Sequence, residues 1–412
     1  MIIEFSFSNF FSFKEKVSFN MTASSGKELC DNYVVLDNKK ILKTAALYGA
    51  NASGKTNIIK ILTSVILMLR NSNFVNINAK LPVVPFKFDN DFINKPSEFE
   101  IKFIIDDIRY VYGFSADVNK IYEEYLYYYP NNKLSKIFDR TECNKYSFPR
   151  EDKKFLEDIK LKNADNKFFI ATATNWNFEK TKKPFEFLTT SINTLSNIAE
   201  LRDASLKEYM KEEPSLKKFA LDMLTNADFN IVDFKPLETE LPDDVYLNLP
   251  DFFKVGMKEK PKVYNAAFKH KNSDNVLSLD EESIGTQLLF LLIPFIKDAM
   301  NNKKILFVDE LDKSLHPFLV EMIVQMFNSS EINKNGAQLI FNTHDTNLLD
   351  LNILRRDQIW FTEKNNDNGN SDLYSLRDFP ALTRDKICKG YMLGKYGAIP
   401  FINNDLNLWP EE

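Results

Sequence analysis

Eight consecutive residues, Gly49-Ala50-Asn51-Ala52-Ser53-Gly54-Lys55-Thr56, carry the sharpest chemistry in this 412-residue chain. They spell G-x-x-x-x-G-K-T. An apolar run from Thr44 to Tyr48 precedes them, and a helical pattern of Ile58, Ile59, Ile61, Leu62, Val65 and Ile66 follows. This strand-loop-helix context is what a phosphate-binding P-loop requires. Glycines at both ends let the backbone curl until successive N–H groups face one anion, and the helix start adds its dipole. Lys55 supplies a point charge for the β- and γ-phosphates, and the Thr56 hydroxyl can ligate Mg²⁺. Asn51, Ser53 and Asn57 lie in or beside the loop and join Gly49 and Gly54 as expected nucleotide contacts. The pattern implies binding of a nucleoside triphosphate, with ATP expected.

Three stretches downstream complete the chemistry. Lys304-Ile305-Leu306-Phe307-Val308-Asp309-Glu310 is an apolar strand ending in two acids. At the carboxyl end of a central strand, Asp309 is placed to hold the Mg²⁺ that bridges the phosphates. Glu310 is the candidate for orienting and polarising an attacking water. An acidic pair after a strand also serves as a helix N-cap, but the upstream P-loop favours catalysis. Ser283, Gly285 and Thr286 open a helix, where a serine, a bare backbone and a helix start make a second anion-binding end. A plain serine cap is the simpler reading of that stretch. One chain already has a cradle in its P-loop, so the second is expected to face another subunit's nucleotide. His344, one of only 3 histidines, follows the apolar run Gln338 to Asn342. A neutral imidazole there could bond the γ-phosphate and the attacking water.

The elements that must position these residues are legible as alternations and helical stripes. Residues 1–22 read as a two-stranded opening around Asn9-Phe10-Phe11-Ser12-Phe13. Phe99 to Ile105, Arg109 to Ser115 and Ile121 to Tyr129 read as an antiparallel meander. From about Arg150 to Asn226 the spacing predicts short packed helices, with Phe185, Leu188, Ile192, Leu195 and Ile198 on one stripe. Strands are predicted at Asn230 to Phe234 and Val263 to Lys269. A second α/β half follows: a helix from Gly285 to Met300, a strand from Lys304 to Val308, a helix through Phe327 and a strand from Gln338 to Asn342. A last strand, Gln358 to Thr362, leads into an irregular tail, and Asn365 to Ser371 reads as a mobile polar loop.

Composition bounds the rest. No apolar stretch approaches the roughly 20 residues of a membrane span, and the start lacks the pattern of a secretory signal. Cys30, Cys143 and Cys388 are few and far apart, as in reduced thiols of a cytoplasmic protein. The formal net charge of -5 argues against a globally basic nucleic-acid binder. Lys254, Lys258, Lys260, Lys262, Lys269, His270 and Lys271 form one local basic run, and such runs are usually solvated faces. With 11 glycines in 412 residues the chain is glycine-poor, so the tail cluster Gly390, Gly394 and Gly397 suggests required backbone geometry.

The order of these motifs resembles the ABC-type ATPase heads of the SMC/RecF/OLD group. It looks more closely like the stand-alone AAA_15-type, RloA-like ATPases of bacterial phage-defence operons. The opening N-F-x-S-F, the stretch Leu311 to Pro317 and the tail Gly390 to Pro400 resemble that subgroup too. The resemblance implies an α/β, ABC-ATPase-like head: a mixed sheet with a P-loop core, an antiparallel β meander and a helical insertion. Residues 1–149 and 230–412 would form the head, and 150–229 the insertion. It also implies a head-to-head homodimer, or a higher homo-oligomer, sandwiching ATP. Ser283, Gly285 and Thr286 of one protomer would then cap the γ-phosphate held by Lys55 and Thr56 of the other. Asp312 and Ser314 would form the crossing D-loop, and His344 the switch histidine. Such heads usually carry a Mg²⁺-contacting glutamine between P-loop and signature, and no Gln occurs between Asn57 and Thr286.

The leading expectation is the ATPase or sensor subunit of an antiviral system, controlling a separately encoded effector such as a nuclease. The stretch after His344 is too short for a Toprim nuclease domain such as OLD proteins carry. The alternative is a RecF-like clamp that grips DNA in repair or replication, against which the charge balance argues mildly. A transporter subunit fits less well, and a non-turnover ATP sensor is a third reading.

Overall fold

The computed structural model describes residues 1–141, 144–196, 198–227, 229–241, 260–380 and 387–400, with Tyr246 and Asn248. The chain opens with β1 (Ile2–Ser8) and β2 (Val17–Asn20), then a short pair, β3 (Tyr33–Leu36) and β4 (Lys39–Leu42). β5 (Thr44–Gly49) runs into the P-loop and α1 (Lys55–Asn71) leaves it. After α2 (Asn90–Ile93) come β6 (Ser97–Ile105), β7 (Ile108–Ala116), β8 (Ile121–Tyr128), β9 (Ser135–Thr141) and β10 (Lys145–Ser147). The middle of the chain holds α3 (Lys153–Lys160), α4 (Phe169–Asn175), α5 (Glu179–Thr190), β11 (Ile192–Leu195), α6 (Ile198–Tyr209) and α7 (Pro214–Asn226). β12 (Ile231–Glu240), β13 (Lys262–His270) and β14 (Val276–Ser278) lead to α8 (Ile284–Asn302) and β15 (Ile305–Val308). Then follow α9 (Pro317–Asn328), β16 (Gln338–Asn342), β17 (Ile359–Lys364), β18 (Ser371–Ser375) and α10 (Ile387–Met392).

Two large sheets organise these elements. The first is antiparallel, in the order β10-β9-β8-β7-β6-β1-β2. The second has the order β11-β15-β16-β5-β17-β18 and is parallel except for the β17–β18 pair. A three-stranded sheet, β12-β13-β14, stands beside them. The architecture is mixed α/β, as expected.

The parallel strands explain their own near-continuous apolar sequence. Successive side chains alternate faces, and both faces are covered. On β5, Ala45 and Leu47 enter one core while Ala46 and Tyr48 enter the other. On β15, Ile305 and Phe307 join the first core, and Leu306 and Val308 the second. The first core lies toward the antiparallel sheet, where the Phe5 ring meets Phe307 edge-on at 6.0 Å and Phe19 lies 4.7 Å from Trp360. The second is covered by α8 and α9, whose buried faces include Leu289, Ile293, Val320 and Val324.

A buried charge ties the middle helices to the meander. Glu124 accepts the N–H of Phe169 at 2.5 Å and of Ile170 at 3.0 Å, where α4 begins. Tyr112 donates to it at 3.2 Å, and Arg140 stands 4.0 Å away. Both charged side chains are fully buried.

The predicted meander is present and extends two strands further, through β9 and β10. Two expectations need correction. Ile192 and Leu195 do not continue a helix; they belong to β11, which pairs in parallel with β15. A four-residue segment with apolar residues only at its two ends carries too little periodicity to separate strand from helix. The tail is not irregular throughout, since β18 pairs with β17 and α10 follows. Asn365 to Asn370 form the turn of that hairpin, closed by the Asn365 N–H on the Asn370 carbonyl at 2.8 Å.

Part of the basic run is paired within the chain: Lys262 with Glu238 at 2.5 Å and His270 with Glu282 at 2.7 Å. Lys254 and Lys258 lie outside the described residues, as does Cys143. Cys30 and Cys388 are free thiols. Among the described residues, no helix is long and apolar enough to cross a membrane.

Candidate functional site: a P-loop cleft at the strand ends

Parallel register brings the chemistry to one edge of the second sheet. Val308 pairs with Phe341, and Asn342 with Leu47 two residues before Gly49. The P-loop, Asp309 and Thr343-His344 therefore leave their strands on the same side, where open α/β sheets bind ligands.

The loop itself is shaped by close approaches. A Cβ on Gly49 would run into the Thr362 carbonyl and lie 2.6 Å from Thr362 Oγ1. Gly54 caps α1 at φ 118, a region that disfavours side chains, with Ser371 Oγ only 2.8 Å from a Cβ placed there. Ala52 also takes positive φ, at 63. Lys55 is buried and donates to the carbonyls of Gly49 at 2.7 Å and Ala50 at 3.0 Å. Burial lowers its pKa, partly offset by Asp309, Glu310 and Asp312. An ammonium whose partners among the described residues are two carbonyls can turn an N–H to a phosphate anion arriving at the loop.

Thr56 Oγ1 donates to Asp309 Oδ1 at 3.1 Å, so a hydroxyl and a carboxylate converge between α1 and β15. No cluster of three or more His, Cys, Asp or Glu able to hold a metal exists among the described residues. Mg²⁺ takes one or two protein ligands and fills its shell with phosphate and water. Asp309 and Thr56 are the groups that could hold it.

One residue that the sequence reading did not single out organises this corner. Asn342, fully buried at the end of β16, donates Nδ2–H to Asp309 Oδ1, and its Oδ1 accepts the Glu310 N–H. The available signal was a polar residue closing the apolar run Gln338-Leu339-Ile340-Phe341-Asn342. Glu310 sits at φ 51, a strained conformation for a glutamate, and its exposed carboxylate meets Lys313 at 3.0 Å.

Two expected contact side chains are engaged elsewhere. Ser53 Oγ lies 2.6 Å from Thr362 Oγ1 in a buried pair that locks the loop to β17. Asn57 donates to Ser12 Oγ at 2.8 Å, and Ser12 in turn meets Ser371 Oγ at 2.8 Å. The N-F-x-S-F stretch thereby buttresses the start of α1 from the far side. Asn51 is exposed at the cleft.

Ser283 caps α8 by accepting the Thr286 N–H at 3.1 Å, and the two hydroxyls lie 2.7 Å apart. A Cβ on Gly285 would stand 2.6 Å from the Ser314 carbonyl, so this helix start rests directly on the turn after β15. Ser314 itself has φ 65. Asp312 accepts the His344 N–H at 3.0 Å on Oδ2, while its buried Oδ1 has no partner among the described residues. Burial and the Lys55 charge lower the His344 pKa from its ordinary 6.5. The imidazole is neutral near neutral pH.

An open cleft of about 1170 Å³ runs from Gly49–Ser53 past His344 to the β17–β18 turn and the tail. Ser283, Gly285 and Thr286 are not among its lining residues.

The family described as "AAA domain, putative AbiEii toxin, Type IV TA system" matches residues 45–350, which span the P-loop, Asp309 and His344. The chain belongs to this AAA-domain family. Its AAA domain is that of a nucleotide-binding ATPase. Solved structures similar in fold include an SMC head bound to the C-terminal winged-helix domain of ScpA, at 13% identity and TM-score 0.42, covering 91% of this chain and 97% of that one. The SMC head of Thermotoga maritima aligns at 12% identity and TM-score 0.41, over 91% of this chain and 98% of that one. The SMC head with coiled coil and joint from Pyrococcus yayanosii gives 12% and 0.44, over 96% and 99%. No curated protein matches the chain.

Proposed function

We propose that this AAA-domain chain is a Mg²⁺-dependent ATPase that dimerises around ATP and serves as the ATPase or sensor subunit of a bacterial anti-phage, abortive-infection-like system. One observation carries the ATPase reading: Lys55, the Thr56–Asp309 pair and the Asn342-held Glu310 meet at one strand edge. The family description, which names a toxin of a toxin–antitoxin system, supports the defence role and a separately encoded effector.

In this reading the backbone of the P-loop and the Lys55 ammonium bind the β- and γ-phosphates of ATP. Thr56 and Asp309 hold Mg²⁺, which when bound neutralises phosphate charge. Glu310 aligns a water with the γ-phosphorus; the new P–O bond forms as the bond to the β-phosphate oxygen breaks, giving ADP and phosphate. Neutral His344 accepts a hydrogen bond from that water or donates one to a γ-phosphate oxygen, according to its tautomer. Asn342 is a positioning residue that holds Asp309 and the Glu310 backbone.

The second anion-binding end supports a split site. Ser283, Gly285 and Thr286 lie outside the chain's own cleft, yet rest on the Asp312–Ser314 turn. The buried Asp312 Oδ1 has no partner among the described residues, and a second protomer can bring a donor. The DNA-clamp alternative gains little, because Lys262 and His270 of the basic run are already paired with acids.

The deciding experiment is Glu310→Gln with ATP, followed by light scattering on a sizing column. A trapped dimer that the unaltered chain forms only transiently is expected. A variant that binds ATP but stays monomeric at high concentration defeats the split site. Turnover of the unaltered chain with and without duplex DNA, at two salt concentrations, then separates a DNA-gripping dimer from an ATP-gated scaffold.

A further inference from the structure

A second open pocket, of about 500 Å³, lies on the antiparallel sheet and shares no lining residue with the P-loop cleft. Its floor is the cross-strand row Glu4, Lys102 and Val111 of β1, β6 and β7. Alternation sends the neighbouring row, Phe5, Ile101 and Tyr112, into the first core, so the pocket is on the outer face. Its walls come from three separate segments. The β3–β4 hairpin, turned by Asp37 and Asn38 at φ 48 and 57, contributes Lys39. Thr22 follows β2, and Arg377 follows β18. The pocket sits at the start of β1 and the end of β2, whereas the turn joining those strands carries Ser12 to the start of α1. It is therefore at the opposite end of the β1–β2 ribbon from the P-loop.

The charge of this pocket runs against that of the chain. Lys39, Lys102, Arg109 and Arg377 line it with one carboxylate, Glu4, in a chain of net charge -5. Lys102 is already balanced, 3.3 Å from Glu4 and 3.5 Å from Glu100. The other three are balanced loosely or not at all. Arg109 is largely buried, yet its guanidinium makes no hydrogen bond among the described residues, and its Nε is fully buried without a partner. The acid it meets, Asp37, stands 3.9 Å away, beyond hydrogen-bonding reach. Tyr129 fixes the group from one side, with Cζ 3.9 Å from the ring centroid. Arg377 lies 3.7 Å from Asp378 at the surface, where such a pairing is weak. Lys39 has no charged partner among the described residues.

We propose that this pocket is a second anion site, which takes a phosphate group, free or as the monoester of a small molecule, on Arg109, Arg377 and Lys39. A guanidinium held on an aromatic ring presents its N–H fork in one plane, and phosphate accepts such a fork through two oxygens. A largely buried guanidinium without an acceptor is costly, and an arriving oxyanion supplies the acceptor. Three loosely balanced cations match the nearly two negative charges of a phosphate monoester at neutral pH better than the single charge of a carboxylate. The volume leaves room beside the phosphate for a small organic body against Val111. No step of ATP hydrolysis passes through this pocket, so the proposal stands apart from the P-loop reading.

The test is equilibrium dialysis of the full chain against labelled inorganic phosphate at constant ionic strength. It is done on the Lys55→Ala variant, because an intact P-loop would itself take phosphate. Saturable binding of one phosphate per chain is expected. Adding Arg109→Met, which keeps an aliphatic contact with Tyr129, should weaken binding by about tenfold. Arg109→Lys, which keeps the charge without the fork, should recover only part of that loss. Circular dichroism checks the fold of each variant. If Arg109→Met does not fold, Lys39→Ala with Arg377→Ala carries the same test with Arg109 in place. Competition by ribose 5-phosphate separates the two sources: tighter binding than phosphate assigns a monoester, and equal or weaker binding assigns the free ion. Absence of saturable binding overturns the proposal, as does binding that the folded variants leave unchanged. A second phosphate that survives Lys55→Ala counts against the P-loop assignment and not against this pocket.

Discussion

Asn342 bridges Asp309 and the backbone of Glu310, so the two acids at the end of β15 are held by a side chain from the neighbouring strand. In the proposed mechanism the bridge would place the carboxylate that holds Mg²⁺ and the residue that aligns water in one unit. Asn342→Ala should lower ATP turnover by about 10–100-fold and raise the Mg²⁺ concentration needed for half-maximal activity. A merely structural role would lower stability without moving the Mg²⁺ requirement. Titrating Mg²⁺ at fixed ATP decides between the two.

Lys55→Ala removes the ammonium seated in the P-loop. Nucleotide affinity should fall steeply while the circular dichroism spectrum stays unchanged. Unaltered affinity by calorimetry would remove the phosphate assignment of the loop.

Gly285 rests on the Ser314 carbonyl at a distance that admits no Cβ. Gly285→Ala must push the start of α8 away from the turn after β15. ATP binding to the monomer, which uses the other end of the chain, should persist. The ATP-dependent dimer trapped by Glu310→Gln should disappear in the double variant, as read by light scattering.

His344 has a pKa below its ordinary 6.5 because burial and Lys55 disfavour the imidazolium. The neutral form is therefore already dominant at pH 6.5. The midpoint of the His344-linked decline in turnover should therefore lie below pH 6.5. A midpoint at or above pH 6.5 in the unaltered chain that is absent from His344→Gln would contradict this.

The buried Glu124–Arg140 pair joins the meander to α4. Arg140→Met leaves the carboxylate without its countercharge and should cost about 3–5 kcal/mol in urea unfolding. Adding Glu124→Gln, which removes the charge while keeping acceptor capacity for the α4 N–H groups, should recover part of that loss.

What the sequence determined by itself is whatever is written in contiguous residues. Gly49 to Thr56 between an apolar strand and a helical stripe defines the P-loop, because the loop's chemistry needs only local backbone geometry and the next helix start. The same holds for the Lys304–Glu310 strand with its terminal acids and for the alternation from Phe99 to Tyr129. The family match over residues 45–350 spans these same stretches.

Only the tertiary structure decided what depends on residues far apart in the chain. Asn342 reaches Asp309 across 33 positions, and Ser12 meets Ser371 across 359. No local pattern marks such a pair, because its energy appears only when parallel pairing aligns the strand ends. The same cause turned Ser53 and Asn57 toward Thr362 and Ser12, placed Ile192–Leu195 at the edge of the sheet and brought the tail beside the P-loop. Residue types show which groups can do the chemistry, and packing of two sheets around two cores selects the partners each one meets.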